Sequence, residues 1–107
     1  MKANELAFQG LECVLSGGMK ITGGYTSDLL SDVMAHLKEG DALITIQAHK
    51  NTIAVAVLTG APAVIFCHGR AVSEEVLEVA KKENIALYVS SMNQFETTCA
   101  LAEALAG

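Results

Sequence analysis

The sequence predicts an α/β fold in which a small, mostly parallel sheet is flanked by helices in three layers. The second half of the chain alternates strand and helix patterns three times, with short connections between them. Its strand segments are apolar along their whole length, which is typical of parallel strands covered on both faces. With 107 residues, of which 51% are hydrophobic, residues 1–107 are expected to bury one core and form one domain.

The first quarter of the chain contains only short elements. Residues 4–9 are predicted to form a short helix and residues 12–15 a short strand. Residues 19–21 are predicted to be extended. A glycine pair follows each extended segment, and the second pair, in Thr22-Gly23-Gly24, is expected to form a tight turn before the first long helix.

The first long helix is predicted to follow this turn. Thr26 or Ser27 is its expected cap, and Asp28 lies in its first turn, where a negative charge complements the helix dipole. Apolar residues one helical turn apart form a single stripe: Leu29, Leu30, Val33, Met34 and Leu37. Gly40 is the expected stop.

Residues 42–47 are apolar and β-branched, so they are predicted to form a buried strand. Residues 52–58 are ambiguous, because Ile and Val favour a strand whereas Asn51 stands at a cap position and the alanines tolerate a helix. We favour a helix, since a strand here would pair with residues 42–47 through a hairpin that lacks a good turn. Residues 63–67, introduced by Pro62, form the next predicted strand.

The last third of the chain gives the clearest helix signals. Ser73 is predicted to cap a helix with acidic residues in its first turn and Lys81 and Lys82 in its last, as the dipole favours. Residues 85–89 are predicted to be a strand and residues 93–106 a helix. The predicted inner face of that helix consists of Phe95, Cys99, Ala102 and Leu105.

Composition excludes several function classes. The net charge of −5, from 12 acidic and 7 basic residues, leaves no clustered basic face for nucleic acid. The most apolar stretch, residues 52–67, is interrupted by Thr59-Gly60-Ala61-Pro62, so no single span of a membrane is expected. The N-terminus has no long apolar run with a cleavage site, which favours a cytoplasmic protein.

The cysteines do not indicate a disulfide framework or a metal site. Cys13, Cys67 and Cys99 are odd in number and widely spaced, without a C-x-x-C pair. We therefore expect reduced thiols, no metal and no cofactor.

The glycine pair is the first candidate for chemistry. Thr22, Gly23, Gly24 and Thr26 precede a predicted helix, where free backbone N–H groups could bind a phosphate. However, Gly24-Tyr25 stands where a P-loop has Lys and Ser or Thr. An ordinary tight turn followed by helix capping is the favoured interpretation.

The second candidate is a pair of histidines. His49 and His68 each follow the carboxyl end of a predicted strand, and Arg70 comes two residues later. Because ligands bind beyond the carboxyl ends of parallel strands, these residues could form a pocket for a small anion or nucleotide. The alternative, equally favoured, is that each histidine caps a loop or a helix end. The pocket requires that both histidines and the glycine pair meet at one rim.

An acidic helix face is the third candidate. Asp28, Ser31 and Asp32 share a side of the predicted helix and could help to hold Mg²⁺, but such charges usually only solvate a surface, and we favour that explanation. Asp32 and His36 could also form an i,i+4 pair worth a few tenths of a kcal/mol.

A longer match lies in the same region. Residues 21–34, residues 44–51 and His68-Gly69-Arg70 together resemble the DRTGG domain family, over nearly the whole chain. Lys20 and Ile21 stand where the family name has Asp and Arg.

The resemblance implies an α/β fold like that of the N-terminal domain of HPr kinase/phosphorylase, which is not that enzyme's catalytic part. DRTGG domains occur as accessory modules in phosphotransacetylases and in pyrophosphatases with CBS domains, where they help to dimerise the chain. Stand-alone members are often encoded near iron hydrogenases, which implies a protein partner in energy or carbon metabolism. The resemblance supplies no catalytic residues.

Two functions are therefore expected in order of preference. The first is a non-catalytic regulatory or interaction domain that forms a homodimer through residues 52–58, with Ile53, Val55 and Val57 at the interface. The alternative is a sensor for an adenine nucleotide or another phosphate-bearing anion. Its binding residues would be Thr22, Gly23, Gly24, Thr26, His49, His68 and Arg70. A small enzyme is least favoured, because no nucleophile can be paired with a general base.

Overall fold

Strands and helices alternate from the second strand onward. The computed structural model describes residues 1–107. The strands are β1 (Leu11–Leu15), β2 (Gly23–Thr26), β3 (Asp41–Thr45), β4 (Ala63–Phe66) and β5 (Ala86–Ser90). The helices are α1 (Leu30–His36), α2 (Lys50–Thr59), α3 (Glu74–Lys82) and α4 (Gln94–Ala106), and a short 3-10 turn covers Ala3–Glu5.

The five strands form one mixed sheet in the order β1-β5-β4-β3-β2. β2, β3, β4 and β5 are parallel, and β1 pairs antiparallel with β5 at one edge. β2 is the opposite edge strand. The predicted α/β class with a mostly parallel sheet is confirmed.

Two apolar clusters cover the two faces of the sheet. Along β3, Leu43 belongs to the cluster under α1, α2 and α3, whereas Ala42 and Ile44 belong to the cluster under α4 and the N-terminal segment. This alternation follows from the period of two residues in a strand. The sheet is therefore the middle of three layers, as predicted.

The region from Thr22 to Gly40 differs from its prediction. Gly23 and Gly24 do not form a turn but begin β2, and neither has a positive φ. α1 begins only at Leu30, with no side-chain cap, and ends at His36. The helix starts late because the chain from Gly23 to Thr26 pairs with β3 and Asp28 bonds to Thr45, the last residue of β3, and to Ile46. A tertiary contact has replaced the local cap.

Close packing explains why β2 carries glycine. A Cβ atom added to Gly24 would lie 2.8 Å from Cδ2 of Leu101 in α4. A larger residue would therefore require the end of the Leu101 side chain to move aside. The glycine therefore marks the approach of a helix, which a sequence pattern cannot distinguish from a turn.

The N-terminal elements are shorter than predicted. The predicted helix at residues 4–9 is reduced to the 3-10 turn at Ala3–Glu5. The predicted extended residues 19–21 form no strand, and only Lys20 makes an isolated antiparallel bridge, to Lys2. Short elements without a periodic apolar stripe gave too little signal to fix their type.

The ambiguous segment at residues 52–58 lies within α2, so its helical prediction is confirmed. Its cap is His49 rather than Asn51, because Nδ1 of His49 accepts the backbone N–H of Asn51 at 3.2 Å. The α3 prediction is also confirmed, with the hydroxyl of Ser73 accepting the N–H of Val76.

α4 is confirmed as a helix, but its predicted inner face is wrong. Phe95, Cys99 and Ala102 are exposed, whereas Thr97 and Leu101 are buried and Leu105 packs against the core. Thr97 can be buried because its hydroxyl is hydrogen-bonded to the hydroxyl of Ser90, with the two oxygens 2.8 Å apart. A hydrogen-bonded polar residue therefore lies at the centre of the buried face, and a prediction that follows apolar residues alone places that face on the wrong side of the helix.

Candidate functional site

The predicted binding residues do not meet at one rim. The N–H of Thr22 donates to the carbonyl of Gly40 at 2.9 Å, and Gly23 lies beside Asp41, the first residue of β3. Because β2 runs parallel to β3, Thr22, Gly23 and Gly24 lie toward the amino ends of the strands. The prediction that the glycine pair joins the two histidines is therefore wrong.

Four of the predicted binding residues do lie at the opposite edge. Thr26 is the last residue of β2, and His49, His68 and Arg70 follow the carboxyl ends of β3 and β4. We call this edge the carboxyl rim and define it as residues 26–28, 46–49, 67–70 and 90–94. The argument from parallel strands places His49, His68 and Arg70 at this edge, whereas Thr26, predicted as a possible helix cap, instead ends β2.

Asp28 links the loops of the carboxyl rim. Its Oδ1 atom accepts the hydroxyl of Thr45 at 2.8 Å, the N–H of Ile46 at 2.9 Å and the side-chain amide of Gln94 at 3.0 Å. Its own backbone carbonyl accepts the side-chain amide of Gln47 at 2.8 Å. One half-buried carboxylate thus connects the loop after β2 to β3 and to the start of α4. Sequence analysis missed this role because the partners are distant in the chain.

A buried polar group lies below the rim. The hydroxyls of Ser90 and Thr97 are hydrogen-bonded, and Sγ of Cys67 donates to Oγ1 of Thr97 at 3.5 Å. Burial raises the pKa of the Cys67 thiol, so the thiol stays protonated near neutral pH. Cys67 is therefore a packing residue and not a nucleophile.

The loop after β4 holds His68 in a left-handed conformation. His68 and Gly69 have φ angles of 60° and 61°. Their N–H groups donate to the carbonyls of Met92 and Ser90, at 2.9 Å and 2.8 Å. For a residue other than glycine this conformation costs about 1–2 kcal/mol, so the neighbouring loop over-determines it.

Two side chains of this loop have no partner. His68 and Arg70 are exposed, and neither side chain makes a hydrogen bond or an ion pair with another residue. His49, by contrast, has its Nδ1 engaged as the cap of α2. Of the two explanations for the histidines, capping applies to His49, and His68 remains available to a ligand.

The cavities of the molecule lie away from the rim. One of about 390 Å³ lies between β2 and α4, and one of about 380 Å³ lies at the amino ends of the strands beside Lys20 and Thr22. A third, of about 340 Å³, lies between α2 and α3. A ligand of the carboxyl rim would therefore bind on an open surface.

The outer face of α2 is apolar. Leu58 is 73% exposed and Val57 is 39% exposed. Together with Ala54, Val79 and Glu83 they line the cavity between α2 and α3. We call these five residues the α2 face, although Val79 lies on α3 and Glu83 at its C-terminal end. Ile53, predicted to lie at an interface, is instead fully buried in the core because it points toward the sheet, and Val55 is half-buried against the same core.

The acidic residues of the predicted first helix face different partners, and Asp28 lies outside α1 altogether. Asp28 faces Thr45, whereas Asp32 faces Tyr25 and His36. No group of three or more His, Cys, Asp or Glu side chains is placed to hold a metal ion. No helix has both the length and the apolar character needed to span a membrane.

Comparison with known proteins connects the chain to a family. The DRTGG domain family model matches residues 15–104. No curated protein matches the chain in sequence.

One solved structure has a similar fold. It contains the CBS and DRTGG domains of the regulatory region of the Clostridium perfringens pyrophosphatase, in complex with the activator diadenosine tetraphosphate. The TM-score is 0.66 at 19% sequence identity, over 89% of this chain and 43% of that one. The chain thus spans less than half of the pyrophosphatase region, and the likeness shows the fold alone.

Proposed function

The chain belongs to the DRTGG domain family, and we propose that it is a non-catalytic regulatory module that acts as a homodimer through the α2 face. The similar fold within a pyrophosphatase regulatory region supports the regulatory role. The resemblance to stand-alone family members supports a protein partner in energy or carbon metabolism, in a hydrogenase-related system.

The single observation that carries the dimer is the exposed apolar face of α2. Thr52, Ile53 and Ala56 face the core, while Val57 and Leu58 are exposed on other sides of the same helix. A helix that is apolar on all sides is normally covered on all sides. The sheet covers one side of α2, and α1 and α3 flank it. A second copy is proposed to cover the side that faces away from the sheet.

The α2 face suits a two-fold interface. In such an interface each protomer contributes the same patch, so a residue that projects must meet a depression in the partner. Leu58 is the projecting residue, and the groove between α2 and α3 beside Val79 is the depression. The ion pair between Lys50 and Glu75, at 3.6 Å, links the same two helices.

The test is the molar mass of the full chain by size-exclusion chromatography with light scattering. The wild type is expected at twice the monomer mass of 11.2 kDa, and Leu58→Glu at the monomer mass, because the buried charge has no partner. Phe95→Glu is the matched control, since Phe95 is 77% exposed but lies on α4 in the other layer. A monomeric wild type at 50–100 µM (about the range that reveals a weak dimer) would overturn the proposal.

A second function is proposed for the carboxyl rim, namely binding of an adenine nucleotide or another phosphate-bearing anion. The observation that favours it is the pair of unpartnered side chains, the imidazole of His68 and the guanidinium of Arg70, held on a loop of unusual backbone conformation. The diadenosine tetraphosphate bound by the pyrophosphatase region makes a nucleotide the first ligand to try. Thr26 and the free Nε2 of His49 complete the proposed site.

The test is a melting experiment with AMP, ATP, diadenosine tetraphosphate and inorganic phosphate. A ligand at ten times its Kd should stabilise the fold by about 1.4 kcal/mol, which raises the Tm by several degrees. Arg70→Ala should abolish the shift, whereas Lys82→Ala, an equal change of charge at the end of α3, should preserve it. If no ligand moves the melting curve, this second proposal fails and the dimer proposal is unaffected.

A further inference from the structure

Three side chains form a hydrogen-bonded chain on the helical layer, outside the carboxyl rim and the α2 face. The hydroxyl of Tyr25 in β2 donates to Oδ2 of Asp32 at 2.8 Å. On the other side of the carboxylate, Oδ1 of Asp32 lies 3.0 Å from Nδ1 of His36. Tyr25 is anchored by packing against the core, whereas the His36 side chain is 64% exposed.

This geometry fixes the tautomer of His36. A carboxylate can only accept hydrogen bonds, and so can the Asp32 backbone carbonyl, which lies 3.2 Å from the same nitrogen. Nδ1 must therefore carry the proton. In the neutral imidazole the lone pair is then on Nε2, at the end of an exposed side chain.

Tyr25 makes this more than a surface pair within one helix. The hydrogen bond from Tyr25, with smaller contributions from nearby Ser27 and from His36, holds the pKa of the Asp32 carboxyl below its usual value. The carboxylate in turn raises the pKa of the Tyr25 hydroxyl, which stays a donor. A nucleophile, its carboxylate and a third group that fixes the carboxylate form the arrangement that activates side chains for group transfer.

The other two histidines lack this arrangement. Nδ1 of His49 accepts the N–H of Asn51, so its proton is on Nε2 when the ring is neutral. The ring of His68 has no hydrogen-bond partner to select a tautomer. Of the three histidines, His36 alone presents a fixed lone pair on Nε2 to solvent.

We propose that His36 is a modification site whose Nε2 accepts a phosphoryl group from a donor of the phosphoramidate class, in which phosphorus is bonded to nitrogen. The Nε2 lone pair forms the new bond to phosphorus. The bond from phosphorus to the donor nitrogen breaks, and that nitrogen leaves with the electron pair and takes a proton from solvent. The ring becomes cationic during attack and keeps its proton on Nδ1, where Asp32 stabilises the charge. Asp32 and Tyr25 are positioning residues.

The first test uses potassium phosphoramidate with the full chain at neutral pH, followed by mass spectrometry under alkaline conditions. Phosphate is expected on His36 faster than on His49 or His68. The His36→Gln chain should lose this fast phase and react only at the slower rate of the other two histidines. Asp32→Asn should slow the modification by about tenfold, the effect of losing one charge-assisted hydrogen bond. Tyr25→Phe should fall between the wild type and Asp32→Asn.

The second test reads the tautomer directly by ¹⁵N NMR of the imidazole rings. The wild type is expected to show His36 protonated on Nδ1 and His49 protonated on Nε2, with the His36 preference lost in Asp32→Asn. Equal reaction rates for the three histidines, or a wild-type His36 protonated on Nε2, would overturn the proposal. Circular dichroism of each variant separates these outcomes from unfolding.

Discussion

At the scale of single residues, the Asp28 carboxylate accepts more hydrogen bonds than any other charged side chain in the molecule. Three donors from β3 and α4 converge on one of its oxygens. It is only partly exposed, so these bonds are shielded from water. Removing the carboxylate would leave the buried hydroxyl of Thr45 without its acceptor.

We therefore expect Asp28→Ala to lower the free energy of unfolding by about 3 kcal/mol, since several charge-assisted bonds are lost together. Urea denaturation followed by circular dichroism measures this. Glu78→Ala is the control, because Glu78 is an exposed carboxylate of α3, and it should change stability by less than about 0.5 kcal/mol. Equal effects of the two substitutions would contradict the linking role of Asp28.

Tyr88 gives a pH prediction at the same scale. Burial, with a smaller contribution from the nearby Cys13, raises the pKa of Tyr88 to about 12. The Tyr88 hydroxyl donates to the carbonyl of Ala3. A pKa higher in the folded chain than the unfolded value of about 10 means that the group contributes stability below pH 10. That contribution is lost as the pH rises through 12.

The expected result is a steeper fall in wild-type stability than in Tyr88→Phe between pH 10 and 12. The difference in slope should reach at most about 1.4 kcal/mol per pH unit, the value for one proton. Urea midpoints at half-unit pH steps measure it. Both chains keep Tyr25 and every lysine, so parallel curves would show that Tyr88 titrates normally.

At the scale of elements, the packing of α4 on β2 depends on the absence of a side chain. Leu101 of α4 lies where a Cβ of residue 24 would project, and the hydroxyls of Thr26 and Thr98 are 2.7 Å apart further along the same contact. Gly18, in contrast, has nothing within 4 Å of its Cβ position. The two glycines thus form a matched pair.

Gly24→Ala is expected to cost about 1 kcal/mol through overpacking, because the end of the Leu101 side chain must move. Gly18→Ala should leave stability unchanged or raise it by up to about 1 kcal/mol, because alanine restricts the unfolded chain. Thermal or urea unfolding of both variants checks this. A Gly24→Ala variant as stable as the wild type would contradict the close contact between Leu101 of α4 and residue 24 of β2.

The same region shows why some elements could be predicted and others could not. α3 was predictable because its cap, dipole charges and apolar stripe are all local signals. β2 and the start of α1 were not, because Gly24 serves a helix 77 residues away and Asp28 bonds to Gln94, 66 residues away. The α4 inner face was predicted wrongly because the hydroxyl of Thr97 has its partner, Ser90, on another element, β5.

At the scale of the whole molecule, the parallel sheet sorts the candidate residues to two ends. Because β2, β3 and β4 share one direction, residues before them collect at one edge and residues after them at the other. This rule correctly placed His49, His68 and Arg70 on the carboxyl rim. It failed for Gly23 and Gly24 only because they were taken to follow a strand, whereas they begin one.

The layered architecture also explains where a partner would bind. The sheet is covered by helices on both faces, and four of the six large apolar residues that remain exposed lie on helices. In the layer formed by α1, α2 and α3, Leu58 is the most exposed of the large apolar residues. The proposed homodimer therefore depends on what covers the α2 face.

The most direct measurement is an isotope-filtered NMR experiment on an equimolar mixture of ¹³C-labelled and unlabelled full-length chain. In such a mixture, cross-peaks between labelled and unlabelled protons arise only between protomers. We expect cross-peaks from the methyl groups of Leu58 in one protomer to the partner's Val79. Cross-peaks confined to other surfaces such as Phe95, or none at millimolar concentration, would contradict dimerisation through the α2 face.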